Sequence, residues 1–154
     1  MVAHQAPVGI LFTDTQVEPP GPTIVYANEA FASLTGRTVE EVIGISPRFM
    51  QGRETRRPTL DLFARALSAG ERFHGHLTNY RADGAKYVAE IDCRPLRGAD
   101  GGVEYFVSFE REVVRRRGRP WPGSKGRFEP VSVSNASLSG NLELLSLFSP
   151  TPSA

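Results

Sequence analysis

Residues 72–111 read RFHGHLTNYRADGAKYVAEIDCRPLRGADGGVEYFVSFER, and this stretch decides the fold class. Three segments, Arg72 to Arg81, Lys86 to Leu96 and Val103 to Arg111, carry side chains in the two-residue period of half-buried strands. Asp83-Gly84 separates the first pair, and Gly98 to Gly102 separates the second. Both are hairpin chemistry, because aspartate and glycine supply the backbone conformations that tight turns need. The stretch predicts a three-stranded antiparallel meander.

Upstream, Val8 to Thr13 is a short apolar run closed by Asp14 and the turn-rich EPPGP, and Ile24 to Tyr26 is a second, so both read as strands. Asn28 stands where a helix N-cap belongs, with Phe31 and Leu34 on one face and Gly36 at the C-terminus. Thr38-Val39-Glu40-Glu41 is a capping box, ended by Gly44. A longer helix starts near Pro58, with Leu60, Phe63, Ala64 and Leu67 forming an apolar stripe that stops at Gly70. Two strands, short helices, one longer helix and a meander make an α+β domain: a five-stranded antiparallel sheet with helices on one face.

The remaining features bound the function. At 154 residues the chain holds one domain, 8–113, followed by a basic and Ser/Pro-rich linker and tail, 114–154, in which 115–135 reads as disordered. Eighteen Lys and Arg balance 17 Asp and Glu, so no whole-chain field points to nucleic acid or membrane. The run Arg115, Arg116, Arg117 and Arg119, with Trp121 and Phe128, reads as a solvated linker before a phosphate-binding patch. Cys93 is the only cysteine, which excludes an internal disulfide. No signal sequence or long apolar span is present, so a cytoplasmic location is expected. No nucleophile-base pair, phosphate-cradling loop or paired-carboxylate motif stands out, so the chain is read as a module and not an enzyme.

The order and wording of these segments resemble PAS domains, and among them the light-oxygen-voltage (LOV) family. IVYANEAFASLTGRTVEEVIG resembles the opening of such domains, SPRFMQG falls on the family's Asn-Cys-Arg-Phe-Leu-Gln signature, and LTNYRADGAKY and EYFVSFE resemble its last strands. The resemblance implies the PAS fold over residues 8–113 and a site for FMN or FAD. It places Arg48 on the phosphate-binding arginine, Gln51 on a flavin-contacting glutamine and Asn79 on the asparagine that pairs with the flavin's pyrimidine edge. It also marks departures. The reactive cysteine aligns with Pro47, its preceding asparagine with Ser46, a second asparagine with Ala89, the last-strand glutamine with Glu110 and a second phosphate arginine with Ala64, beside Arg65.

Alternation gives the rest of the site. With Asn79 inward, Phe73, Gly75, Leu77, Ala89, Ile91, Cys93, Phe106, Ser108 and Glu110 share one largely apolar wall. Proline at 47 offers neither a nucleophile nor an N–H, so no cysteinyl adduct forms there, and Cys93 reads as a buried filler. Glu110 has two readings: a carboxyl kept protonated by burial that mimics an amide, or a side chain slipped out to Arg48, Arg94 or water. His74 and His76 lie outward, as solvated residues before metal ligands. Tyr80, Val88, Tyr105, Val107 and Phe109 also fall outward, which predicts a homodimer or signalling-partner face, or docking of Leu138 to Phe148, whose Leu138, Leu142 and Leu145 share a helical face. The function read from this is a stand-alone PAS/LOV-like sensory module acting through protein contacts. Two alternatives stay open: a flavin photoreceptor working by photoreduction, and a ligand-free interaction module.

Overall fold

The computed structural model describes residues 8–115 and 128–130. In chain order the elements are β1 (Gly9–Thr13), β2 (Ile24–Ala27), α1 (Glu29–Thr35), α2 (Val39–Val42), a 3-10 turn (Pro47–Met50), α3 (Arg57–Ser68), β3 (Phe73–Tyr80), β4 (Lys86–Arg97), β5 (Val103–Arg115) and β6 (Phe128–Pro130). Five strands form an antiparallel sheet in the order β2-β1-β5-β4-β3, and β6 pairs with β5 off that path. The α+β arrangement expected from the sequence is the one found.

Local chemistry sets the elements. Asn28, fully buried, caps α1 by accepting from Phe31 N–H at 2.9 Å, and the same oxygen accepts from Ile10 N–H at 2.9 Å while its amide donates to Val8 O at 3.0 Å. One side chain thus ties the helix start to β1, where capping alone contributes about 1 kcal/mol. Gly36 ends α1 with φ +71, a left-handed conformation glycine adopts without strain. Both hydrogen bonds of the Thr38–Glu41 capping box are present.

The last strand of the five runs further than its sequence pattern suggested. Val88 of β4 pairs with Val113, so the ladder carries β5 past Arg111, and the boundary drawn at 113 falls inside the strand. Beyond the end of β1, which pairs with β5 only as far as Glu110, residues 113–115 pair instead with β6. Part of the stretch expected to be disordered, Phe128–Pro130, is therefore a strand. Arg116, Arg117, Arg119, Trp121 and Leu138 to Phe148 lie outside the described residues.

Three buried clusters build the domain. Phe31 and Val42 from the short helices close over Leu11, Ile24, Ala27 and Met50. The α3 residues Leu60, Phe63, Ala66 and Leu67 pack against the wall Phe73, Leu77, Tyr87, Ala89, Ile91, Cys93 and Phe106, with Phe63 stacked on Phe73 at 4.3 Å. On the opposite face Val8, Ile10, Phe12, Val107 and Phe109 cluster together, and no helical residue belongs to this group.

That outer face differs from the uniformly apolar one expected. Val107 and Phe109 are 0% and 1% exposed, folded into the β1 cluster, while Tyr105 is 43% exposed and Val88 half-buried. Tyr80 leaves the face: its ring lies against Gly52, where a Cβ would come within 2.3 Å, and its hydroxyl accepts from Glu54 N–H at 2.9 Å. An edge-strand aromatic can wrap around the sheet margin, which alternation alone does not show. The β3–β4 half of the face is charged instead, with Asp92 gripped by Arg72 and Arg94, and Glu90 by Arg111 and His74. No helix among the described residues is long and apolar enough to cross a membrane.

Candidate functional site

A cavity of about 250 Å³ lies between α3, the 3-10 turn and the inner face of the sheet. Its floor is strand alternation at work: Leu77 and Asn79 from β3, Ile91 and Cys93 from β4, Phe106, Ser108 and Glu110 from β5, and Leu11 and Thr13 from β1. Register brings these side by side, with Ile91 opposite Glu110 and Cys93 opposite Ser108. The roof is the α3 stripe Leu60, Phe63, Ala64 and Leu67, and the mouth is formed by Val17, Pro19, Pro22, Pro47, Arg48, Gln51, Arg57 and Asp61. Arg48 and Gln51 from the 3-10 turn, Asn79 from β3 and Glu110 from β5 all reach this one cavity.

Their roles differ once geometry is known. Glu110 is 3% exposed and points inward, meeting neither Arg48 nor Arg94. Its Oε2 and the Ser108 Oγ beside it are buried without a hydrogen-bond partner among the described residues. Burial pushes the Glu110 carboxyl up to about 8, tempered by the Ser108 hydroxyl, so the group is mostly protonated at neutral pH and able to donate. Buried polar atoms without a partner at full hydrogen-bond geometry are costly and few in native proteins.

Asn79 is buried at the same end, opposite Tyr87 in the β3–β4 ladder. Burial pushes the Tyr87 hydroxyl up strongly, with Glu110 adding to the rise and Asn79 opposing it, and the hydroxyl contacts Met50 Sδ at 3.8 Å. Ala89, where the resemblance expected a second amide, is fully buried opposite Leu77 and does not line the cavity. Burial likewise pushes the Cys93 thiol far up, with the Glu110 and Asp92 carboxyls adding to it. Since the thiolate is the reactive form, this burial disfavours reaction at Cys93.

Arg48 reaches the mouth but is committed to the β1–β2 loop. Its Nε donates to Gly21 O at 2.7 Å and its Nη2 to Val17 O at 2.8 Å. Arg65 turns back along its own helix toward Asp61 O at 3.4 Å, and Ala64 presents only a methyl group to the cavity. The sequence reading did not place Arg57 and Asp61 at the mouth, nor Leu11 and Thr13 in the floor. The β1 pair was legible from its two-residue spacing, whereas the mouth residues needed the path of the loop before α3. On the outer face, His74 Nε2 lies 2.8 Å from Glu90, and burial holds His76 below the usual histidine range despite the opposing pull of Glu90.

A flavin ring tests this donor set. An apolar slot lined by Leu11, Phe63 and Phe106, with Asn79, Ser108 and Glu110 at its deep end, fits a planar heterocycle with a polar edge. The ring end fits, and at the mouth Arg48 and Arg57 stand with Gln51 and Asp61, Arg48 giving two of its donors to the loop carbonyls and Arg57 pairing through Nε with Asp61.

Comparison with known proteins agrees with the fold. The chain is 34% identical over 112 residues to the bacterioopsin transcriptional activator of Halobacterium salinarum, covering 73% of this chain and 16% of that protein. It is 29% identical over 139 residues to the blue-light-activated histidine kinase of Brucella anthropi, covering 90% and 28%. The chain therefore spans only a minor part of the length of these relatives. A solved LOV domain studied with a flavin analogue superposes with a TM-score of 0.67 at 30% identity, over 73% of this chain and 82% of that one. The PAS domain family is matched across residues 7–115, and with LOV domains among its structural neighbours the chain belongs to the PAS domain family.

Proposed function

We propose that this chain is a PAS/LOV-type sensory module that holds a flavin-type ring in the cavity and signals by altered protein contacts, without a covalent bond to sulfur at position 47. The observation that carries the reading is the buried pair Ser108 and Glu110, whose Oγ and Oε2 meet no partner at full hydrogen-bond geometry among the described residues, though the hydroxyl lies close enough to act on the carboxyl, in a cavity whose buried lining is mostly apolar. The Brucella relative is named for activation by blue light, and the LOV neighbour was studied with a flavin analogue.

A bound flavin supplies absorption of blue light and a ring able to accept an electron. The side chains do the rest. Asn79 offers donor and acceptor together to a ring edge, the Glu110 carboxyl donates a proton-bearing hydrogen bond, and Leu11, Phe63 and Phe106 exclude water. Pro47 provides no thiol, and Cys93 is held neutral among packed neighbours.

Glu110 also sits where a change can leave the cavity. Its chain neighbours Phe109 and Arg111 face the other side of β5, the first in the outer apolar cluster and the second bonded to Glu90 at 2.7 Å. Gain or loss of a hydrogen bond at Glu110 therefore bears on the face proposed to meet a second copy or a signalling partner. The test is the visible spectrum of the purified protein, as isolated and after refolding with excess flavin. Retention of the oxidised-flavin band supports the reading, and its absence under both conditions removes it.

A further inference from the structure

The loop from Asp14 to Thr23, which joins β1 to β2, is tied to itself and stands between the cavity and the outside. At its base Asp14 N–H donates to Thr23 O at 3.0 Å, and Thr23 N–H donates to the Asp14 carboxylate at 2.9 Å. Further out, Gly21 N–H donates to Glu18 O at 2.9 Å, and Gly21 packs against the Gln16 carbonyl with no room for a Cβ. A loop braced in this way moves about its base as one piece. Through Val17, Pro19 and Pro22 it forms part of the cavity. On its other side Thr15, Gln16 and Glu18 border a surface groove with Ser68 and Val103. Val17, Pro19, Leu67 and Phe106 line the groove and the cavity alike, so the loop is the partition between them.

We infer that the β1–β2 loop is the gate through which a ligand enters and leaves the cavity, and that Arg48 is its latch. From the 3-10 turn across the mouth, Arg48 Nε donates to Gly21 O at 2.7 Å and Nη2 to Val17 O at 2.8 Å, so one guanidinium grips both limbs of the loop. Releasing those two bonds lets the loop swing about its Asp14–Thr23 base and joins groove to cavity, the movement of a lid. Arg48 is thus a positioning residue for the loop. Its remaining donors stay available to a ligand, and a latch and a ligand contact differ in their rates: a latch slows entry and exit together, whereas a contact slows exit alone.

Stopped-flow binding to the full chain separates the two. The probes are lumiflavin, an uncharged ring with no tail to reach a cation, and N-phenylnaphthylamine, an uncharged apolar dye that asks for no polar edge. In Arg48→Ala, association and dissociation should both quicken, by about tenfold or more for the loss of two hydrogen bonds, with affinity changing by less than either rate. Arg48→Lys, which keeps the charge but not the two-limbed grip, should fall between Arg48→Ala and the native chain. Faster dissociation with unchanged association overturns the inference and makes Arg48 a ligand contact, and rates unchanged in both variants show that ligands pass elsewhere. If the dye enters and lumiflavin does not, the ring-binding reading fails and the latch is judged on the dye's rates. A cavity that admits neither removes both.

Discussion

Two buried acids lie one register step apart on opposite faces of the same pair of strands. Asp92 of β4, on the outer face, is 1% exposed, and both its oxygens are held by Arg72 at 2.8 and 2.9 Å and by Arg94 at 3.1 and 3.2 Å. Burial pushes its carboxyl up, but the hydrogen bonds from the two arginines outweigh that, and the net position is below the usual range. Glu110 of β5, on the inner face, is buried to the same degree with no cation, and it rises to about 8. A protein that brings two guanidiniums to one carboxylate and none to its neighbour separates structural charge from chemical potential. Asp92 fixes the outer face of the sheet, and Glu110 keeps a proton available to the cavity.

The sharpest way to break this contrast is to strip Asp92 of its partners. Arg72→Ala with Arg94→Ala leaves a buried, uncompensated carboxylate, and the expected cost is about 3–5 kcal/mol in urea unfolding at neutral pH. Adding Asp92→Asn to that pair should recover much of the loss, since the charge and not the packing is then at fault. A double variant within about 1 kcal/mol of the native chain would mean that Asp92 does not depend on these arginines.

The second comparison is in pH, where the two acids act in opposite directions. Asp92, lowered in the folded state, contributes stability that is present above its unfolded value of 3.8 and is lost as pH falls through the folded one. Glu110, raised from 4.5 to about 8, keeps a proton that the unfolded chain has released. Its contribution falls as pH rises from 4.5 toward 8, by about 1.4 kcal/mol per pH unit at the steepest, and levels off above. Glu110→Gln should remove that slope, making the variant more stable than the native chain at about pH 9 by a few kcal/mol and no more stable at about pH 5. Urea midpoints that track the native chain at every pH would show that Glu110 titrates normally.

What the sequence made legible follows from which forces are local. Asn28, the Thr38–Glu41 box and the Asp83-Gly84 turn specify their conformations through neighbours within a few residues, so each reads correctly without the fold. Strand alternation is equally local, and it placed Asn79, Ser108 and Glu110 on one wall. Long-range partners were hidden. Arg48 meets carbonyls 27 and 31 residues away, Tyr80 meets an N–H 26 residues away, and Asp92 meets Arg72 across the β3–β4 pair. A charged or amphipathic side chain can take any of several partners, and only the closed fold selects among them. The same holds for the outer face, where Val107 and Phe109 are buried against their cross-strand neighbours Phe12 and Ile10 because β1 lies beside β5 in space though not in sequence.

The smallest expected effect concerns another buried ionisable group of the β4–β5 pair, Cys93, and it sharpens what the absence of a cation does to the inner face. Its thiol stands opposite Ser108 and within the field of Glu110, and burial with those carboxyls keeps it protonated far above neutral pH. The thiolate is the reactive form, so the native protein should react with a thiol-specific reagent only when the sheet opens, at the rate of unfolding measured in the same buffer. Cys93→Ala removes one packed sulfur atom and should cost about 1 kcal/mol. It should leave flavin affinity within about twofold, because on the proposed reading the polar contacts at that end come from Asn79, Ser108 and Glu110. It should also leave the response of the flavin-loaded protein to light unchanged. Rapid labelling without denaturant, or a light-induced spectral change present in the native chain and missing in Cys93→Ala, would show that the inner face holds a reactive thiol and that neutral burial does not describe it.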